Sequence, residues 1–137
     1  MSREIKFRAW HKYANYMCQN VKTDFLDRDY LEFMQYTGLK DKNAKKIYEG
    51  DILQDSFQNA FGELFEQENY KVEFINGCWC LLGKRINDCR PADTEMDLHS
   101  HFYFNEFDIE YFNKEGNLKY FEVIGNIYEN PELLKED

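Results

Sequence analysis

Tyr70-Lys71-Val72-Glu73-Phe74-Ile75, then Asn76-Gly77, then Cys78-Trp79-Cys80-Leu81-Leu82 is the stretch whose reading decides the fold. Two apolar runs flank an Asn-Gly step. Both central residues of a type I′ turn need positive φ, and Asn and Gly adopt it at least cost. The spacing therefore predicts a two-strand hairpin over residues 70–82. Alternation along its second strand puts Cys78 and Cys80 on one face, where cysteine packs as a small apolar residue.

Upstream, Ile47-Tyr48-Glu49-Gly50-Asp51-Ile52-Leu53 carries a Gly-Asp step between apolar residues. Gly50 permits the positive φ of a tight bend, and the Asp51 carboxylate can accept from nearby backbone N–H groups, so the pair reads as a structural turn that introduces a strand. Residues 54–69 space Phe57, Phe61, Leu64 and Phe65 loosely, as a short helix or a wide loop. Glu4 to Trp10 alternates, with Ile5, Phe7 and Ala9 on one face and Glu4, Lys6 and Arg8 on the other, the mark of a half-buried strand. A polar loop at His11 to Asn15 lets residues 16–23 return as a second strand. Residues 24–36 fit a helix capped by Asp24, or a strand from Tyr30 to Thr37 running into Gly38; the strand is preferred. Lys40-Asp41-Lys42-Asn43-Ala44-Lys45-Lys46 has turn formers and no periodicity, and reads as an exposed loop.

Downstream, residues 83–100 are loop-like and contain Pro91. Residues 101–112 are aromatic, a strand or short helix. Lys114-Glu115-Gly116-Asn117 is a turn, and Leu118 to Tyr128 an apolar strand with a bulge at Gly125. Asn130-Pro131-Glu132-Leu133-Leu134 specifies one helical turn through Asn at the cap and Pro at the first position. At least five strands and no long amphipathic helix make the chain mainly β. There is no internal repeat, low-complexity tract or linker, so residues 1–137 form one domain, with a basic part over 1–50 and an acidic part over 51–137.

The chain has 137 residues, 43% of them hydrophobic and 18% aromatic. That excludes intrinsic disorder and lets a core form without metal or disulfide staples. No apolar run approaches the roughly 18 residues needed to span a bilayer, and the first ten residues are too polar for a signal-peptide core. The expectation is a soluble, cytoplasmic protein with no membrane contact. The net charge is −9; residues 1–50 hold ten Lys/Arg against seven Asp/Glu, and the remainder seven against nineteen. So acidic a chain cannot hold DNA through a general phosphate-neutralising surface, although a local basic face can.

Three stretches together resemble the YopX family: Arg3-Glu4-Ile5-Lys6-Phe7-Arg8-Ala9-Trp10; Met34-Gln35-Tyr36-Thr37-Gly38-Leu39-Lys40-Asp41-Lys42-Asn43 continuing through Ile47 to Ile52; and Glu122-Val123-Ile124-Gly125-Asn126-Ile127-Tyr128-Glu129-Asn130-Pro131-Glu132-Leu133-Leu134. Ala44 departs from the family pattern, which usually has Gly after the Asn. The resemblance implies a YopX-like β-barrel with hairpin extensions and little helix, in a cytoplasmic protein encoded by a phage or prophage of low-GC Gram-positive bacteria. It implies no activity, no cofactor and no catalytic residue.

The residues themselves offer little chemistry. There is no Gly-rich phosphate loop, nucleophile elbow or His-Glu-x-x-His helix. Asp93, Glu95 and Asp97 alternate as in a calcium loop, but Leu98 replaces the required Gly and Phe104 the bidentate Glu. Cys78, Cys80 and Cys89 with His99 and His101 are chemically suited to zinc, yet a Cys-x-Cys spacing is tighter than the usual zinc knuckle. The cysteines are expected to be reduced, and no metal is expected. Lys40, Lys42, Lys45 and Lys46 between Tyr36 and Tyr48 form a candidate interaction loop, amines for phosphates and rings for bases. Ten tyrosines, twelve phenylalanines and two tryptophans exceed the needs of a small core and suit a protein interface. The expected function is therefore non-enzymatic: an accessory module binding a host or phage protein, or itself as a homo-oligomer. Nucleic-acid binding through the lysine loop ranks second, and a metal-dependent enzyme last.

Overall fold

The structure, a computed structural model, describes residues 5–22, 24, 27–65, 67–75, 77–84 and 99–134. Among the described residues, nine strands form two antiparallel sheets. β1 (Phe7–His11), β2 (Tyr16–Cys18), β3 (Leu31–Lys40) and β4 (Lys46–Tyr48) make the first, in the order β2-β1-β3-β4. β5 (Asp51–Asp55), β6 (Asn69–Ile75), β7 (Cys78–Lys84), β8 (His99–Tyr103) and β9 (Phe121–Asn126) make the second, in the order β8-β7-β6-β5-β9. The expected barrel takes the form of one sheet curled into a half-barrel, beside a second sheet. Helix among the described residues is 3-10 only, at Asp24 and in short turns at Phe104–Glu106, Ile109–Tyr111 and Pro131–Leu134. No described helix is long and apolar enough to cross a membrane.

The deciding hairpin forms in the expected register, with Ile75 opposite Cys78, Val72 opposite Leu81, and Gly77 at φ +80°. Residues 24–36 contain no described α-helix: β3 begins at Leu31 and runs antiparallel to β1. The second strand is shorter than the sequence suggests, because Asn20 turns to φ +53° and takes the chain out of extended geometry. Residues 54–69 take the wide-loop alternative, closed by a bridge between Gln58 and Leu64 and by Asn59 Oδ1, which accepts from the Phe61 and Glu63 N–H groups. β7 and β8 extend into the expected loop over 83–100, as far as Lys84 and from His99. In β9 the extra residue is Ile124 rather than Gly125: Ile52 faces Gly125 and Leu53 faces Val123.

Ile47, Leu53, Tyr70, Val72, Leu81, Leu118, Phe121 and Val123 form the core, β4 contributing the first and the second sheet most of the rest. One polar group is built into it. The buried Tyr70 hydroxyl lies 2.9 Å from Asp55 Oδ2 and 2.9 Å from Glu68 Oε2. A phenol has a single proton to donate, so two ionised carboxylates cannot both be satisfied there. Burial pushes the Asp55 carboxyl above its ordinary value, against the lowering effect of the Tyr70 and Glu68 hydrogen bonds. It also raises the Tyr70 phenol far above its own, with both carboxylates adding to the shift.

A carboxyl raised in the folded state takes its proton before the unfolded chain does. Its contribution to stability therefore grows as pH falls from neutral toward the ordinary Asp value of about 3.9 and is lost as pH rises through the folded value. Asp55→Asn mimics the protonated acid, with its amide oxygen facing the Glu68 N–H and its amide N–H facing the phenol oxygen. Urea denaturation of this variant at neutral pH is expected to show stability equal to or above that of the parent, the parent gaining on it as pH falls toward 4. A variant weaker than the parent at neutral pH, and relatively stronger in acid, would contradict the arrangement.

Candidate functional site

The candidate loop is narrower than the sequence implies, and it is held from within. Lys40 and Lys46 are paired strand residues, which leaves Asp41 to Lys45 as the turn. Asp41, read as a solvated loop residue, is 1% exposed. Its Oδ1 accepts from the Asn43 and Lys45 N–H groups at 2.8 and 2.9 Å, and its Oδ2 from the Val123 N–H at 2.8 Å. One carboxylate thus shapes the turn and fastens it to β9, helped by a bond from the Lys42 N–H to the Phe121 carbonyl. Lys42 Nζ lies 3.7 Å from Glu122, whose other oxygen accepts from Asn43. Tyr36 and Tyr48 are only 5% and 6% exposed, their rings tilted against each other, with the Lys46 amine over Tyr36. The structure brings all six residues of the candidate loop together, but it turns inward the two rings that were to stack on bases.

At the next step Gly50 adopts φ +85°, and an added Cβ would stand 3.2 Å from Met34 Sδ. Asp51 Oδ2 accepts from the Tyr48 N–H at 2.8 Å, the local role expected of it. Its other oxygen does something the sequence did not announce. Arg8, on β1, reaches across from the first sheet and pairs with Asp51 Oδ1 at 2.6 Å, with side-chain exposures of 7% and 2%. Arg8 Nη2 also donates to the Glu49 carbonyl at 3.2 Å, and the guanidinium lies over the Tyr48 ring. Strand alternation had placed Arg8 on the polar face of β1; that face is covered. Burial raises the Asp51 carboxyl above its ordinary value, opposed mainly by the Arg8 charge.

The C-terminal stretch meets the same junction. The Ile127 N–H donates to the Gly50 carbonyl, and Tyr128 stacks on Trp10 with ring centres 5.5 Å apart. Asn126 Oδ1 accepts from the Tyr128 and Glu129 N–H groups, while its amide donates to Glu129 at 2.7 Å. Asn130 Oδ1 accepts from the Asn126 N–H and lies so close over Gly125 that a Cβ there would stand 2.5 Å away. The opening, middle and closing stretches singled out in the sequence converge here.

Among the described residues, no His, Cys, Asp and Glu groups gather in threes fit for a metal. Cys80 is buried, its thiol pushed up chiefly by that burial, and Cys78 is half-buried. β8 places His101 opposite Leu82 and His99 opposite Lys84, while Cys80 faces Tyr103. Cys89, Asp93, Glu95 and Asp97 lie outside the described residues.

Many of the aromatic residues, Phe57, Tyr70, Phe107, Tyr111 and Phe121 among them, pack in or on the core, and a further group gathers beside β2. His11 stacks on Tyr16 at 5.2 Å and meets Tyr30 at 5.1 Å and Tyr13 at 6.4 Å. Tyr13 is 80% and Tyr16 51% exposed. A groove of about 450 Å³ between His11, Tyr16, Cys18, Val21, Tyr30 and Leu31 runs beside β2, an edge of the first sheet.

The departure at Ala44 has a physical consequence. Ala44 sits at φ +66°, where a Cβ crowds the following carbonyl. Ala44→Gly relieves that strain and gives back part of it as unfolded-chain entropy, for a net gain of about 0.5–1 kcal/mol. The urea midpoint is expected to rise; a fall would mean that the turn does not hold this residue left-handed.

Comparison with known proteins agrees with this geometry. The crystal structure of protein EF1440 from Enterococcus faecalis shares the fold, with a TM-score of 0.54 and 24% identity over 98% of this chain and 100% of that one. No curated protein matches the chain. The family model described as YopX protein matches residues 20–135, the greater part of the sequence. On that match the chain belongs to the YopX family.

Proposed function

We propose that this YopX family member is a non-enzymatic accessory protein that acts by binding protein, itself included, in the cytoplasm of a phage-infected or lysogenic bacterium. The observation that carries the reading is the aromatic cluster of His11, Tyr13, Tyr16 and Tyr30 beside β2, an edge strand of the first sheet among the described residues. Large rings with polar tips give contact area at low entropic cost, and an unpaired strand edge offers backbone donors and acceptors to an incoming strand. Charge favours a second copy as partner: residues 1–50, which build the first sheet, carry the basic excess, and residues 51–137 the acidic one. A first-sheet face of one molecule complements a second-sheet face of another.

The buried polar groups support the same reading. The carboxylates of Asp41 and Asp51 and the amide of Asn126 are spent on backbone N–H groups and on neighbours within the fold. The lysine turn is partly neutralised by Glu122 and has its rings buried, which weakens it as a strand-binding surface.

Sedimentation velocity at tens of micromolar checks the proposal. The parent is expected to associate, and Tyr13→Ser with Tyr16→Ser to weaken association about tenfold or more. A parent that is monomeric and captures no protein from lysogenic cells, or lysine variants that abolish a salt-sensitive DNA shift, would overturn it.

A further inference from the structure

Arg8, Lys45, Asp51, Asn126, Glu129 and Asn130 line a polar cleft of about 290 Å³, where β1, β5 and the end of β9 meet. Its volume stands at the lower limit of small-molecule pockets, about 300 Å³. What the cleft can recognise follows from which lining atoms are already spoken for. Both Asp51 oxygens are engaged, one by Arg8 and one by the Tyr48 N–H. The Asn126 amide is consumed on both sides, and Asn130 Oδ1 is taken by the Asn126 N–H. One Glu129 oxygen is held by Asn126, on a side chain that sits at the exposed rim.

Apart from the second Glu129 oxygen at the rim, the atoms left over are donors. Arg8 Nε is buried and has no hydrogen-bond partner among the described residues. Buried N–H groups without a partner are uncommon in native proteins, and each calls for an acceptor. Lys45 Nζ makes no ion pair among the described residues, and the Asn130 amide N–H group and the Gln19 side chain at the mouth add further donor capacity. Asp51 is paired with Arg8 and also feels Lys45, and Glu129 stands at the exposed rim, so Lys45 is the cleft's second positive charge. One amine matches one negative charge; a dianion would crowd Asp51 and Glu129.

We propose that the cleft between β1, β5 and β9 is a binding site for a small molecule presenting a carboxylate, with Lys45 pairing its charge and Arg8 and Asn130 donating hydrogen bonds. This site is separate from the aromatic edge at β2 and does not depend on self-association. Engagement of Arg8 Nε requires the guanidinium to turn toward the ligand while Nη2 keeps its hold on Asp51.

Titration of the full ¹⁵N-labelled chain with sodium acetate tests this, with inorganic phosphate and sodium chloride at matched ionic strength as comparisons. Acetate is expected to move the Arg8 Nε–Hε signal and the Gly125 and Asn126 amides along a saturable curve. Lys45→Gln keeps the backbone N–H that Asp41 binds and is expected to weaken acetate about fivefold, one screened charge pair. Tyr13→Ser is expected to leave the titration unchanged. No saturable shift by about 100 mM acetate, an equal response to chloride, saturation by phosphate alone, or an unaltered response in Lys45→Gln would each overturn the assignment.

Discussion

The Arg8–Asp51 pair is the interaction on which the arrangement of the two sheets depends. Asp51 opens β5 three residues after β4 closes, at the point where the chain leaves one sheet for the other. Arg8 comes from the first sheet and closes on it from the side. Removing both charges from water is expensive, and mutual attraction offsets that cost only when the remaining polar atoms are satisfied. Here they largely are: the second Asp51 oxygen holds the Tyr48 N–H, Arg8 reaches the Glu49 carbonyl, and the Tyr48 ring covers the cation. The Asp51 carboxyl remains raised, so the pair does not fully compensate its own burial. Such a pair fixes geometry more than it adds stability, because mispositioning either partner strands a buried charge.

A second carboxylate repeats the device on a smaller scale. Asp41 caps its own turn with one oxygen and takes the Val123 N–H with the other. Between them, Asp41 and Asp51 anchor both ends of β4 to the second sheet, and Gly50 donates to Val72 while accepting from Ile127. The closing segment is then packed over the junction by Asn126, Asn130 and Tyr128. The middle and closing stretches that build this joint lie within residues 20–135, which the family model matches, and Arg8 joins them from the opening strand.

Local signals were legible in the sequence and distant ones were not. The Asn-Gly hairpin, the Gly50 bend, the Gly116 turn and the short helical turn after Asn130 each depend on a few neighbouring residues, and each is present. Alternation in Glu4 to Trp10 gave a strand that runs instead from Phe7 to His11, with Ile5 outside it and exposed, and it misplaced Arg8, since a period of two separates faces without saying what covers them. Asp41 looked solvated because its decisive partner, Val123, lies far along the chain. Tyr36 and Tyr48 looked available for the same reason: their burial comes from packing between β3 and β4 and from Arg8, not from their own segment. The lysine turn was therefore found in the right place but given the wrong surroundings. The polar cleft had no sequence signal at all, being assembled from three separated stretches.

A double-mutant cycle on Arg8→Met and Asp51→Asn tests the central claim most directly. Asp51→Asn keeps the acceptor for the Tyr48 N–H and removes only the charge. Each single substitution leaves its partner's charge buried and is expected to cost about 3–5 kcal/mol in denaturant unfolding, while the double variant loses no more than either single one. Losses that simply add, with a coupling within about 0.5 kcal/mol of zero, would show that the two charges do not hold the sheets together.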